Sequence, residues 1–205
     1  MPTLYVITGP NGAGKSSIGA SLLPDSIRSN YMPYDADKLK MIEQVRLKKQ
    51  GLTYKEAGQL ADEFVFKEFD RRYKDALNRN DHFVYEGHFS EETSWNLIKE
   101  FKEAGYKIDM IFIGLATLKL SQDRVHYRAI NGGHNVNAYD IQNNYFGNLE
   151  TLNKHFSLID NLSLIDNSKN IPIYIAQVNV AKVKLFVKAN LLPAWVVKYL
   201  PDVLK

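Results

Sequence analysis

Gly9-Pro10-Asn11-Gly12-Ala13-Gly14-Lys15-Ser16 is the stretch whose reading decides the fold, because it matches G-x-x-x-x-G-K-[ST] in full. Thr3-Leu4-Tyr5-Val6-Ile7-Thr8 before it is short, apolar and β-branched, the pattern of a buried strand. After it, residues 15–23 read as a helix closed by Pro24. Glycines between a strand and a helix let successive backbone N–H groups turn inward around a phosphate, which side chains at positive φ would obstruct. Gly9, Pro10, Asn11, Gly12, Ala13, Gly14, Lys15, Ser16 and Ser17 are therefore the expected nucleotide cradle. Lys15 is placed to reach the β- and γ-phosphates, the Ser16 hydroxyl to ligate Mg²⁺, and the helix start adds its positive dipole end. ATP and Mg²⁺ are the expected cofactors.

Outward from this loop, a second short strand ends at Tyr34-Asp35, and helical spacing covers 37–49 and 53–78. On the second of these, Ala57, Leu60, Ala61, Phe64 and Val65 share one expected apolar face. Strands are expected at 82–86, 107–115, 162–166 and 173–176, the last at an edge, with helices at 92–104, 120–130 and 138–156. Alternating strands and helices predict an α/β, three-layer α/β/α fold of the P-loop, kinase-like kind. Its sheet should be mostly parallel, with about five strands and a helical lid. The expected organisation is a single domain over 1–205. It carries a helical insert at about 37–80, a lid at about 120–156 and a C-terminal helix at about 190–205.

The composition agrees with a packed globular chain: 205 residues, 45% hydrophobic and 24% charged. Cys is absent, which excludes disulfides and thiolate metal sites and fits a reducing, cytoplasmic setting. A net charge of +3 with scattered Lys and Arg is too weak to imply nucleic acid, and no apolar run approaches the ~20 residues that span a bilayer. Neither nucleic acid nor a membrane is an expected partner. The N-terminus lacks the basic flank and h-region of a signal peptide.

A phosphate cradle does not name the reaction. The guanine-reading Asn-Lys-x-Asp of GTPases is missing, as are the signature loop and strand-end Asp-Glu of transport ATPases. The acid nearest a strand end is Glu86, after Phe83-Val84-Tyr85. That placement suits a small-molecule kinase, in which such acids hold water around Mg²⁺ or grip the acceptor.

Three further segments share a pattern with the cradle. They are Tyr34-Asp35-Ala36-Asp37, then Asp123-Arg124-Val125-His126-Tyr127-Arg128 running into Asn131-Gly132-Gly133-His134, and finally Ile165-Asp166-Asn167-Ser168. Together they resemble the zeta-toxin family of P-loop kinases over residues 3–168, and more closely its chromosomal branch labelled predicted ABC-type ATPases. The resemblance implies an ATP-dependent kinase acting on a sugar hydroxyl of a nucleotide such as UDP-N-acetylglucosamine, and an antitoxin-like protein partner.

In that resemblance Asp37 is the general base, while Asp35 stands where an Asn is more usual. Glu86 is the acid after the third strand, serving the metal or the acceptor. Judged by itself, Asp37 reads first as an N-cap on the following helix, and the family motif reverses that order. Arg124 and Arg128 lie one turn apart and suit the charge of a migrating phosphoryl group, although solvated surface arginines have the same spacing. Ser90 is retained from the family pattern and His88 is unusual. His134 is either a substrate contact or a loop histidine held by the backbone. The family's Arg-Arg-Tyr is replaced by Asn143-Asn144-Tyr145, which removes charge from the lid. The alternative reading is a nucleotide-binding module of the same fold with weak or lost transfer, acting through a protein partner.

Overall fold

The computed structural model describes residues 1–131, 136–179 and 182–205. The chain runs β1 (Thr3–Thr8), α1 (Lys15–Ile18), α2 (Asp25–Asn30), β2 (Tyr34–Asp35), α3 (Ala36–Lys49), α4 (Tyr54–Arg79) and β3 (Phe83–Glu86). It continues through α5 (Asn96–Glu103), β4 (Lys107–Gly114), α6 (Leu118–Ile130), α7 (Ala138–His155), β5 (Asn161–Asp166), β6 (Ile173–Asn179), β7 (Lys182–Leu185) and α8 (Ala194–Tyr199). The sheet order is β2-β3-β1-β4-β5-β6-β7. The first five strands in that order are parallel, and β6 and β7 add antiparallel at one side.

The sheet has seven strands among the described residues, not the expected five or so. The strand that the pattern did not give is β7. β7 is Lys182-Val183-Lys184-Leu185, mostly exposed and lysine-flanked, as an edge strand needs to be to resist pairing with other chains. Its presence moves β6 inside the sheet, so the edge expected at 173–176 lies one strand further out.

The central strands are buried on both faces, which is why they read as continuous apolar runs. Leu4, Val6 and Ile7 of β1 and Ile108, Met110, Phe112 and Ile113 of β4 lie in one hydrophobic cluster that α5, α7 and α8 help to cover. The stretch expected as one helix over 15–23 is instead α1 followed by a 3-10 turn, Gly19–Leu22. There Gly19 lies against Ile7, and an added Cβ would stand 2.5 Å from Ile7 Cγ2.

α4 opens with a capping box: the Thr53 hydroxyl accepts from the Glu56 amide at 3.3 Å and the Glu56 carboxylate from the Thr53 amide at 2.9 Å. Ala57 and Ala61 pack with Leu47 of α3 in a small separate cluster. Leu60 and Phe64 point outward, 42% and 39% exposed, which corrects the face expected for them. Further along the same helix Val65, Phe69, Tyr73 and Leu77 pack against the main core.

The C-terminal helix is shorter than expected, α8 covering six residues, but it is firmly docked. The Trp195 ring lies 5.7 Å from that of Phe112, and its Nε1 donates to Asp166 Oδ2 at 2.8 Å. Gly114 makes the approach possible, since a Cβ there would stand 2.3 Å from Trp195 Cζ2. Among the described residues no helix is long and apolar enough to cross a membrane.

Candidate active site

Every strand that carries chemistry ends on one side of the sheet, because parallel strands point their C-terminal ends the same way. β1 delivers the glycine loop there. Gly9, Gly12 and Gly14 have φ of 140°, 71° and 93°, values that L side chains rarely adopt. At Gly9 a Cβ would also sit 2.1 Å from the Ile113 carbonyl oxygen, so the loop can lie against β4 only without one. Asn167 Nδ2 donates to the Ala13 carbonyl at 2.7 Å and Ser121 Oγ to the Asn11 carbonyl at 2.6 Å, bracing the loop from β5 and α6. α1 starts at Lys15, so its first amides, which no helix satisfies internally, open onto this cradle. Pro10 and Ala13 complete the turn through an Ala13 amide to Pro10 carbonyl bond, and Ser17 is exposed on α1.

Lys15 Nζ lies 2.9 Å from the Gly9 carbonyl and 3.2 Å from that of Pro10. Burial draws its pKa down to about 8, against Glu86, Asp37 and Asp35, which favour the charged form. Ser16 is the junction of the site. Its hydroxyl is 3.1 Å from Asp35 Oδ2 and makes a short hydrogen bond to Glu86 Oε1. Asp35 and Glu86 are opposite one another in the register of β2 and β3, so the pairing of two strands sets two carboxylates beside one hydroxyl. Burial pushes Glu86 up to about 7, with the Ser16 hydrogen bond opposing and Asp35 adding to the rise.

This donor set fits Mg²⁺. A hard cation that shares phosphate oxygens takes only a hydroxyl and one or two carboxylates from the protein. A self-sufficient metal cluster is not required, and none of three or more His, Cys, Asp or Glu occurs among the described residues. Asp35 is the member that sequence reasoning left out. Its signal was present, an acid at the end of a short strand, but only the β2–β3 pairing aims it at Ser16.

Asp37, in the first turn of α3, lies on the wall of an open cavity of about 480 Å³ beside the cradle, together with Asn11, His88 and Ser90. It does not cap the helix. Asp35 does, accepting from the Lys38 amide at 3.0 Å, which leaves Asp37 exposed at the cavity. His88 Nε2 is 3.4 Å from both Lys15 Nζ and Asn11 Nδ2, and burial, then the Lys15 charge, hold its pKa well below the ordinary histidine value. A neutral imidazole at this position places no second charge next to the lysine.

The two asparagines of the lid helix have unlike environments. Asn144 donates to Asn11 Oδ1 at 2.9 Å and accepts from Ser90 Oγ at 2.8 Å, tying α7 to the cradle, whereas Asn143 lies on the cavity wall. Buried Asn148 extends the tie by accepting from Thr8 Oγ1 at 3.1 Å and from the Phe89 amide at 2.8 Å. No motif marks Asn148. It lies one turn from Thr151 among the buried apolar residues of α7.

Arg124 reaches the Gly12 carbonyl through Nη1 and the Ser168 carbonyl through Nη2, both at 3.3 Å. Arg128, one turn further along α6, is exposed and near enough to lower the pKa of Lys15. Both arginines therefore border the cradle. His134 lies outside the described residues.

No curated protein sequence matches this chain significantly. Among solved structures it is similar to a chain of the AvrRxo1-ORF1:-ORF2 complex crystallised with ATP, at 17% identity and a TM-score of 0.63. The match covers 91% of this chain but only 61% of that one. It is also similar to a chain from the PezAT chromosomal toxin–antitoxin system of Streptococcus pneumoniae, at 17% identity and a TM-score of 0.59, covering 100% and 78% of the two chains. At such identity the likeness concerns the fold. The family model for zeta toxin matches residues 1–178, nearly the whole described sheet and every cradle residue, and the chain belongs to that family.

Proposed function

We propose that this protein is a kinase that transfers the γ-phosphoryl group of ATP·Mg²⁺ to a hydroxyl of a small molecule. The observation that carries the reading is the Ser16 hydroxyl set between Asp35 and Glu86, beside Lys15 and next to a cavity edged by Asp37. Membership of the zeta toxin family and the fold shared with an ATP-bound neighbour support it. ATP would supply the phosphoryl group, and Mg²⁺, when bound, would supply positive charge beside it.

This chain's own residues do the rest. Lys15 would exchange the Gly9 and Pro10 carbonyls for phosphate oxygens, and Ser16, Glu86 and Asp35 are the residues that would hold the metal and its waters. Arg124 and Arg128 face the charge that spreads over the migrating group. Asp37 orients the acceptor hydroxyl and takes its proton. The acceptor oxygen forms the new bond to phosphorus, the bond to the β-phosphate oxygen breaks, and ADP leaves with that electron pair.

α7 and the start of α3 border the cavity, and an antitoxin-like protein is the proposed regulator in this reading. UDP-N-acetylglucosamine enters as the first acceptor to assay, on family resemblance. The second reading, a nucleotide-binding module with weak transfer, is favoured by one observation: α7 presents Asn143 and Asn144 to the site where arginines would stabilise transfer. The test is ADP release from Mg·ATP with and without acceptor, with mass spectrometry of the acceptor. A gain of one phosphate that vanishes in Asp37→Ala sustains the kinase reading. Tight ATP binding with no transfer to any hydroxyl compound would replace it with the second.

A further inference from the structure

His88 stands on the wall where the cradle meets the cavity, and the bonds around it fix which of its nitrogens carries the proton. The Phe89 amide can only donate, so the Asn148 atom that it reaches at 2.8 Å is Oδ1, which also accepts from Thr8 Oγ1 at 3.1 Å. Asn148 Nδ2 is therefore turned the other way, to the Asn144 carbonyl and to His88 Nδ1 at 3.3 Å. A ring nitrogen that faces an N–H donor is an acceptor, so Nδ1 is bare and the proton of the neutral ring sits on Nε2. Burial, then the charge of Lys15, and also that of Arg128, keep the ring neutral, while the Gly9 carbonyl favours its charged form.

Nε2 points at other donors. Lys15 Nζ and Asn11 Nδ2 each lie 3.4 Å from it, and Asn11 keeps its Oδ1 for the Asn144 side chain at 2.9 Å. N–H groups from α1, the glycine loop and the segment after β3 thus converge on one point. Among the described residues the acceptors they share are the Gly9 and Pro10 carbonyls, 2.9 Å and 3.2 Å from Lys15 Nζ, with that of Gly9 also in reach of the ring. Arg128 adds positive charge from α6 that acts on both Lys15 and His88. Asp35 and Glu86 are turned to the Ser16 hydroxyl instead. An ammonium, an amide N–H and an imidazole N–H at one point, in the field of a guanidinium, suit an oxygen that carries negative charge.

We propose that His88 donates its Nε2–H to an oxygen of the terminal phosphoryl group of bound ATP, beside Lys15, and is a further phosphoryl-binding residue of this site. The ring acts as a neutral donor and transfers no proton. A hydrogen bond to a charged oxygen is about twice as strong as one between neutral groups, and a neutral ring gains it without repelling Lys15 or Arg128. The group that His88 meets is the third phosphate, so its loss should be felt by a triphosphate and not by a diphosphate. This rests on the nucleotide position of the kinase reading, but it is measured through binding, and transfer is followed separately.

Calorimetry on the full chain with Mg²⁺ compares a non-hydrolysable ATP analogue with ADP, for the wild type, His88→Asn, His88→Phe and His88→Gln, with the urea midpoint of each recorded. Asn can still offer Asn148 an acceptor but ends short of the Nε2 position. Phe fills the space with no donor, and Gln can place an N–H where Nε2 stood. His88→Asn and His88→Phe should bind the analogue roughly ten- to a hundredfold more weakly, the size of one hydrogen bond to a charged group, with ADP affinity changed less than about twofold. His88→Gln should recover most of that loss. Equal losses for ADP and the analogue, unchanged analogue binding in His88→Asn and His88→Phe, or no recovery in His88→Gln would overturn the assignment, since a ring that only braces the loop gives those results. Phosphate transfer by the wild type, followed by mass spectrometry, tests the kinase reading by itself. A triphosphate-specific loss without any transfer leaves the role of His88 standing and removes the kinase reading, whereas transfer with all four proteins binding the analogue alike does the reverse.

Discussion

Asp35 and Asp37 stand two residues apart and have been given different tasks by the turn between them. Asp35 ends β2, caps α3 and touches the Ser16 hydroxyl, whereas Asp37 is free of the cap and edges the cavity. Removing the second should therefore leave nucleotide binding intact and remove the proposed proton acceptor. Asp37→Ala is expected to lower kcat by roughly 10²–10⁴ with little change in nucleotide Kd, read from turnover and calorimetry on one preparation. The glycine loop makes the opposite prediction. At Gly9 a side chain meets both an unfavourable φ and the Ile113 carbonyl oxygen, so Gly9→Ala should lose nucleotide binding and about 1–3 kcal/mol of stability together. Equal urea midpoints for Gly9→Ala and wild type would refute that account.

At the scale of elements, α4 shows how the two halves of a long helix are held by different contacts. Its first turns bury only the small Ala57 and Ala61 against α3, so its start leans on the Thr53–Glu56 capping box, whereas Val65, Phe69, Tyr73 and Leu77 further along pack on the main core. Thr53→Ala is expected to cost about 1 kcal/mol by chemical denaturation, with Thr53→Ser recovering most of it. Helical periodicity placed this helix within a residue at either end but assigned Leu60 and Phe64 to the buried face. Period alone cannot tell which stripe of a long helix meets the domain.

Across the whole molecule, α8 closes one face of the sheet by placing Trp195 over Gly114 and Phe112 and its indole N–H on Asp166. Trp195→Ala should cost about 3–5 kcal/mol, seen as a lower midpoint in urea. The sheet also holds a charge at a cost. On β4, Asp109 is pushed up to about 6 by burial, with a hydrogen bond from Asn161 opposing and Asp160 adding to the rise. The folded chain thus holds that proton more tightly than the unfolded one. Its contribution to stability falls as pH rises from about 4 to about 6, and the loss is complete above that window. Asp109→Asn should flatten this slope, a change on the order of 2 kcal/mol between pH 4 and pH 7 in paired denaturation curves.

The sequence by itself determined the α/β class, the cradle from Gly9 to Ser16 and the family, because a glycine loop between a strand and a helix binds phosphate through local backbone geometry that tertiary packing does not alter. Tertiary structure decided what is non-local. The β2–β3 register brought Asp35 and Glu86, 51 positions apart by their numbers, to one hydroxyl. β7 became visible only by pairing, since a short lysine-flanked strand has no apolar signature of its own. The cavity collects residues from α3, α7 and the segment after β3, which no spacing along the chain relates. Only their packing brings these side chains to one wall.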